Sequence, residues 1–169
     1  MDLFPSLNAI YATFFGTSPP TRACVAVDLP PPTRVKFDCF AFAGTDPTQR
    51  IALHVQGLSY WAPANIGPYS QAVLVGERMF ISGQIGLIPA SLSLPSPHDP
   101  ETETALAFQH VERVVDAVRK SSGQWKGHIQ LAIYWLVKPE QAAGIVATGE
   151  QFTVVGIILP TPLTRSHFP

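Results

Sequence analysis

Ala62-Pro63-Ala64-Asn65-Ile66-Gly67-Pro68-Tyr69-Ser70-Gln71-Ala72 runs directly into Val73-Leu74-Val75-Gly76-Glu77-Arg78-Met79-Phe80-Ile81-Ser82-Gly83-Gln84-Ile85. Pro63, Gly67 and Pro68 mark residues 57–68 as loop. Gln71–Val75 and Met79–Ser82 flank Gly76-Glu77-Arg78, the signal of a β-hairpin with a glycine in its turn. Gly83–Leu87 continues as strand or tight turn. Leu53–Gln56 reads as a strand ahead of the loop, and 89–100 as a loop rich in proline and serine.

Beyond that loop the period changes from two to about 3.6. Ala105, Phe108, Val111, Val115 and Val118, widened by Val114, form one apolar stripe. Asp99 is placed to cap the helix, Pro100 suits its first position, and Gly123 closes it. Glu101 and Glu103 face its positive end, Arg119 and Lys120 its negative end. The spacing therefore predicts a helix over 100–122. His128–Val137 alternates, and Ile129, Leu131, Ile133, Trp135 and Val137 are expected to face the core. Residues 140–150 have helical composition interrupted by Gly144 and Gly149. Thr153–Leu159 reads as a strand and the last ten residues as loose chain. Upstream, Leu3, Leu7, Ile10, Tyr11, Phe14 and Phe15 predict a buried helix face over 3–15. Residues 22–28 and 35–42 read as two strands joined by Leu29-Pro30-Pro31-Pro32, and 44–49 as a polar linker.

Composition narrows the function. The chain has 169 residues, 46 % hydrophobic and 14 % charged, which excludes bulk disorder and allows a core without staples. Eleven Lys and Arg balance twelve Asp and Glu, and no basic run exists to hold a nucleic acid backbone. The two cysteines, Cys24 and Cys39, make no disulfide framework and no metal knuckle. They are expected to be small buried hydrophobes. The five histidines lack metal-ligand spacing, and His110 is expected to be partly exposed. There is no Walker loop, dinucleotide fingerprint or nucleophile elbow. No apolar run reaches membrane-spanning length, and an acid follows Met1 where a signal peptide carries a base. A cytoplasmic protein without metal or organic cofactor is expected.

Three segments resemble a known family. Residues 62–72 with 80–85 closely resemble the opening of the RidA (YjgF) family. Pro20-Thr21-Arg22-Ala23-Cys24-Val25-Ala26-Val27-Asp28-Leu29-Pro30, followed by Val35-Lys36-Phe37-Asp38, resembles its closing signature. Leu7-Asn8-Ala9-Ile10-Tyr11 with Phe14-Phe15 resembles the helix before that signature. The resemblance implies an α+β, chorismate-mutase-like sheet with two helices on one face, and homotrimers with sites between subunits. The order is reversed: residues 1–43 correspond to a closing half, 44–52 to a linker, 53–138 to an opening half, and 139–169 to a degenerate or poorly ordered tail. This fits a circularly permuted domain or a cut through tandem modules. Leu53–Ala72, with Tyr60-Trp61, resembles the tandem modules at the C-terminal end of fungal diphthine–ammonia ligases.

The resemblance also names site residues. It makes Arg22 the anchor of a substrate carboxylate, a task suited to a guanidinium fork; the alternative is a surface arginine after a turn. Tyr69 becomes a site tyrosine, or an interface aromatic. Ser82, Gly83 and Gln84 line the pocket, or are ordinary strand. Asn8 lies near the site, or caps a helix. Asp38 replaces a glutamate that positions water, with its oxygen ~1.5 Å further back, a retreat that can cost ~100-fold in rate. The implied reaction is hydrolysis of reactive 2-imino or enamine acids to 2-oxo acids and ammonia. A non-catalytic carboxylate-binding or assembly module of a diphthamide enzyme is the alternative. An endoribonuclease, a name attached to the family, fits the neutral charge poorly.

Overall fold

A computed structural model describes residues 3–44, 46–55, 65–123, 125–152 and 156–160. In chain order it contains α1 (Phe4–Phe15), β1 (Arg50–Leu53), β2 (Ala72–Val75), β3 (Arg78–Ile81), α2 (Pro100–Ser121), β4 (Ala132–Leu136), α3 (Ala142–Glu150) and β5 (Gly156–Pro160). The fold is α+β. β1, β2 and β3 form an antiparallel sheet in that order, with Ala72 opposite both Leu53 and Ile81. β4 and β5 pair in parallel, with α3 in the crossover between them.

α2 joins the two sheets. Its cap forms as its sequence requires: the Asp99 carboxylate accepts the Thr102 N–H at 2.9 Å. Gly123 takes φ of +73° just past the helix, where a side chain would be strained. Val114 and Val118 pack on Ala72 and Leu74 of β2, with Ile51, Leu53, Met79 and Ile81 around them. One turn and a half earlier, Phe108 packs with Tyr134 and Leu136 of β4 and Ile145 of α3. Phe108 also stacks on Phe152, with ring centroids 5.1 Å apart. α2 and α3 thus cover one face of β4.

Expectations in four places need correction. First, β4 presents the opposite face: Tyr134 and Leu136 are buried, while Leu131, Ile133, Trp135 and Val137 are exposed. Both faces of this strand are apolar, so alternation could not say which one meets the helices. Tyr134 fits because of Gly149, where a Cβ would collide with its hydroxyl. The glycine that interrupts a helical pattern is a packing notch.

Second, residues 22–28 and 35–42 join neither sheet, and the strand expected at 53–56 sits at 50–53. Third, Cys24 and Cys39 are exposed because the segments carrying them are. The expected buried face of α1 is only half-covered: Leu7 and Tyr11 are half-buried, Ile10, Phe14 and Phe15 are exposed, and the helix fully buries no residue. Fourth, His110 is fully buried. It lies four and eight residues before Val114 and Val118, on the same line of the helix.

The helix and strand expected after Pro139 are present as α3 and β5. Tyr60-Trp61, the start of the 62–72 motif, and residues 161–169 with Arg165 lie outside the described residues. Among the described residues no helix is long and apolar enough to cross a membrane.

Candidate functional site

The N-terminal segment meets the sheet over residues 18–23. The Arg50 guanidinium donates to Ser18 Oγ at 2.5 Å and to the Pro19 carbonyl at 3.1 Å. Ser70 Oγ donates to the Pro19 carbonyl at 2.6 Å, and Ser70 N–H to the Pro20 carbonyl at 3.1 Å. The Arg22 N–H donates to Ser82 Oγ at 2.9 Å, and Ser82 Oγ donates to the Ser70 carbonyl at 2.6 Å. Gly83 N–H donates to the Arg22 carbonyl at 3.1 Å. Ser70 and Ser82 are buried, so the bonds their hydroxyls donate are shielded from water. Together they fix the backbone that carries Arg22.

Its side chain then enters a polar and aromatic cradle. Arg22 Nη1 donates to Asn8 Oδ1 at 2.8 Å. The guanidinium carbon lies 4.8 Å from the Tyr11 ring centroid, 5.7 Å from Tyr69 and 5.9 Å from Phe4. At that range ring faces attract a cation. Phe4, Asn8 and Tyr11 fall at i, i+4 and i+7, so one face of α1 lines Arg22. A Cβ on Gly67 would sit 2.8 Å from Arg22 Nη2, so this glycine leaves room for the fork. Burial raises the Tyr69 pKa above its usual value, opposed by a hydrogen bond from Ile66 N–H and by Arg22. Tyr69 therefore stays a neutral donor. Its carbonyl accepts from Asn65 Nδ2 at 2.9 Å and contacts His54 Nδ1 at 3.0 Å.

Beside Tyr69 is a small cleft of about 30 Å³, lined by Ile66, Tyr69, Gln71, Gly83, Gln84, Ile85 and Leu87. Gln71, buried, donates to the Val55 carbonyl and accepts its N–H, continuing the β1–β2 ladder with a side chain. Gln84 Nε2 donates to the Ser82 carbonyl at 3.1 Å.

Of the residues named from sequence, Asn8, Arg22, Tyr69, Ser82, Gly83 and Gln84 come together here. Asp38 does not. It is 78 % exposed and pairs with Lys36 Nζ at 3.3 Å, because its segment leaves the sheet after Ala23. Ser82 Oγ ties the backbone of Arg22 to that of Ser70. Sequence reading missed Arg50, Ser70, Gly67 and Tyr11. Tyr11 had a signal: it is one helical turn after Asn8. Among the described residues no cluster of His, Cys, Asp and Glu could hold a metal.

Residues 60–134 match the family model described as Endoribonuclease L-PSP. Over this stretch the chain is similar to a RidA-like module. Relatives agree in two directions. The chain is 48 % identical over 123 residues to a diphthine–ammonia ligase of Schizosaccharomyces pombe, covering 72 % of this chain and 20 % of the ligase. It is 70 % identical over 56 residues to the 2-iminobutanoate/2-iminopropanoate deaminase of Bos taurus, covering 33 % of this chain and 40 % of the deaminase. The chain thus spans about a fifth of the length of the ligases it matches. Among solved structures, a putative endoribonuclease of Thermotoga maritima superposes with a TM-score of 0.52 at 22 % identity, over 66 % of this chain and 85 % of that one. Escherichia coli TdcF with bound serine gives 0.51 at 24 %, over 61 % and 82 %. These two place the RidA-like module in its fold.

Proposed function

We propose that the RidA-like module binds a small carboxylate, with Arg22 as its anchor. One observation carries this reading: backbone bonds to Ser82 and Gly83, about sixty residues downstream, bring the Arg22 fork to Gly67 and to Tyr69, a residue of the cleft lining. A cation whose backbone is tied to a buried serine, and whose side chain is held by Asn8 and flanked by rings, is preorganised for an anion, with little left to order on binding. Tyr69 supplies a neutral hydroxyl for the ligand's second polar group, and Gln84 an amide in the cleft lining. Serine bound in the structurally similar TdcF fits a ligand of this size and charge.

A second reading adds chemistry, favoured by the identity to the bovine deaminase. Water would add to the imine carbon of a 2-imino acid, and ammonia would leave to give the 2-oxo acid. The imine carries its own acceptor for the proton, so the protein's share is to hold the carboxylate and the water.

The exposed apolar face of β4, Leu131, Ile133, Trp135 and Val137, supports self-association, with a trimer as the family resemblance implies. On chain organisation, 1–43 as a closing half and 53–138 as an opening half fit a cut through tandem modules better than a permuted sheet. Residues 35–42 carry a strand pattern without a ladder, as a strand would whose sheet lies elsewhere. The similarity to ligases five times longer agrees with that, and an assembly role in a diphthamide enzyme follows from it.

The test is a calorimetric titration with 2-oxobutyrate, followed by incubation with 2-iminobutyrate and assay of 2-oxobutyrate release. Binding without turnover leaves a carboxylate-binding module. Absence of binding by a folded protein ends the Arg22 reading.

A further inference from the structure

Leu87 lies in the cleft wall with Gln84 and Ile85, and its carbonyl faces α2. There it accepts a hydrogen bond from His110 Nε2 at 2.7 Å. A carbonyl can only accept, so Nε2 carries the proton and a neutral ring leaves Nδ1 as a lone pair. That Nδ1 is buried and has no hydrogen-bond partner among the described residues. Its ring is wholly out of water. The wall touches α2 again beside Leu87, where Gly86 packs so closely on the Glu103 carbonyl that a Cβ would overlap it. The site described above uses the wall but assigns nothing to the group that holds it.

We infer that His110 is a positioning residue for the cleft: as a neutral imidazole it fastens residues 84–87 to α2, and once charged the ring, although its Nε2–H could still reach Leu87, leaves its buried place for water and lets them go. The inference rests on the carboxylate reading for its binding readout alone. Protonating Nδ1 would bury an N–H with no acceptor and a charge with no counter-ion. The charged group that bears on the ring is Arg113 on the same helix, and it repels a second positive charge. From the loop the ring meets the uncharged Leu87 carbonyl. At the neighbouring Gly86 contact are Glu103 and His98, 3.6 Å apart. Across the cleft His54 contacts the Tyr69 carbonyl.

Burial depresses the His110 pKa below its ordinary value of 6.5; the Leu87 bond opposes this and Arg113 adds to it. A lowered folded pKa means that the fold takes up fewer protons than the unfolded chain. The contribution of the neutral ring is therefore complete above about 6.5 and is lost as pH falls through the lower folded value. Glu103, whose pKa burial raises, has the opposite sign and cannot produce the same loss.

The test follows the backbone amide NMR signals of 84–88 and the affinity for 2-oxobutyrate from about pH 7.5 to about pH 5, a range around the ordinary histidine value. The ligand stays ionised throughout. In the wild type, the 84–88 signals should shift in one titration below about 6.5, with affinity falling at least about tenfold. His110→Gln keeps an N–H for Leu87 but cannot gain charge. It should bind within about threefold of wild type at neutral pH and show a flat acid profile. His98→Asn should retain the wild-type response. An unchanged acid profile in His110→Gln overturns the inference. If that variant does not fold, the wild-type imidazole signals decide: a His110 that titrates at the ordinary value without moving 84–88 also overturns it. If the wild type binds no 2-oxobutyrate at pH 7.5, the Arg22 reading fails, while the amide titration still judges His110.

Discussion

Residues 4–44 and residues 50–152 are held by different forces. The later region is organised around α2, whose valines and Phe108 are buried against two sheets and α3. The earlier region has no such core. α1 fully buries no residue, Phe14 is 75 % exposed and Phe40 is 96 % exposed. Its attachment is a short polar clamp at 18–23, made by Arg50, Ser70, Ser82 and Gly83. Yet the candidate anchor, Arg22, belongs to the earlier region and the cleft to the later one. Stability and ligand binding are therefore separable by mutation.

The largest separation is in the core. Phe108→Ala should destabilise by ~3–5 kcal/mol, since it leaves a cavity between Tyr134, Ile145 and Phe152. Phe40→Ala, with equal loss of ring, should change stability by less than ~0.5 kcal/mol. Urea denaturation of both variants checks this. Equal effects would show that Phe40 is covered, and would remove the contrast between the regions.

Arg22→Ala comes next and should act on the other quantity. Loss of a hydrogen bond to a charged group is worth ~1.5–3 kcal/mol, so 2-oxobutyrate affinity should fall ~10–150-fold. Arg22→Lys should restore part of it, because a point charge lacks the fork. Calorimetry, with folding checked by circular dichroism, gives the answer. Wild-type affinity in Arg22→Ala would place the anchor elsewhere.

Ser82→Ala tests the clamp between the regions. It leaves the Arg22 N–H without its acceptor and the Ser70 carbonyl without its donor. About 1–3 kcal/mol of clamp energy is removed. The α2 core should keep its denaturation midpoint within a few tenths molar of urea, while affinity falls several-fold through a loosened Arg22. A collapse of global stability instead would show that the two regions fold as one.

The same division decides what could be read from the sequence. α2 was legible to its ends, because Asp99, Pro100 and Gly123 mark them locally and the apolar stripe has one phase. The hairpin was legible from Gly76. Both signals lie within the element they describe. What failed depends on partners. The alternation in 128–137 identifies a strand, yet Ala132, Tyr134 and Leu136 are as apolar as the residues between them, so α2 and α3 decide the buried face. The patterns in 22–28 and 35–42 suit strands, but a strand needs a neighbour, and no ladder receives them. His110 was misjudged by residue type, although its spacing to Val114 and Val118 placed it inside. The candidate residues Arg22, Asn8 and Tyr69 were named through family resemblance, and the fold brings them together. Their aromatic and serine surroundings emerge from the meeting of distant segments.

Asp38 carries the smallest expected effect and the sharpest consequence. A carboxylate that activates water must reach it within hydrogen-bond distance of the reacting carbon's pocket. Asp38 instead lies in solvent beside Lys36, on the part of the chain that has left the sheet. An exposed pair of this kind is worth ~0–1 kcal/mol. Asp38→Asn should therefore leave stability within ~0.5 kcal/mol and 2-oxobutyrate affinity unchanged. Any release of 2-oxobutyrate from 2-iminobutyrate should also persist, because the imine nitrogen can take the proton itself. Asp38→Glu should gain nothing: the added methylene lengthens a side chain that points away from the cleft's contacts. A ~100-fold loss of turnover in Asp38→Asn, with binding intact, would contradict this. It would mean that residues 35–42 fold back in the working assembly and bring a base to the carboxylate. The earlier region would then complete the catalytic centre, and its exposed phenylalanines would be buried there.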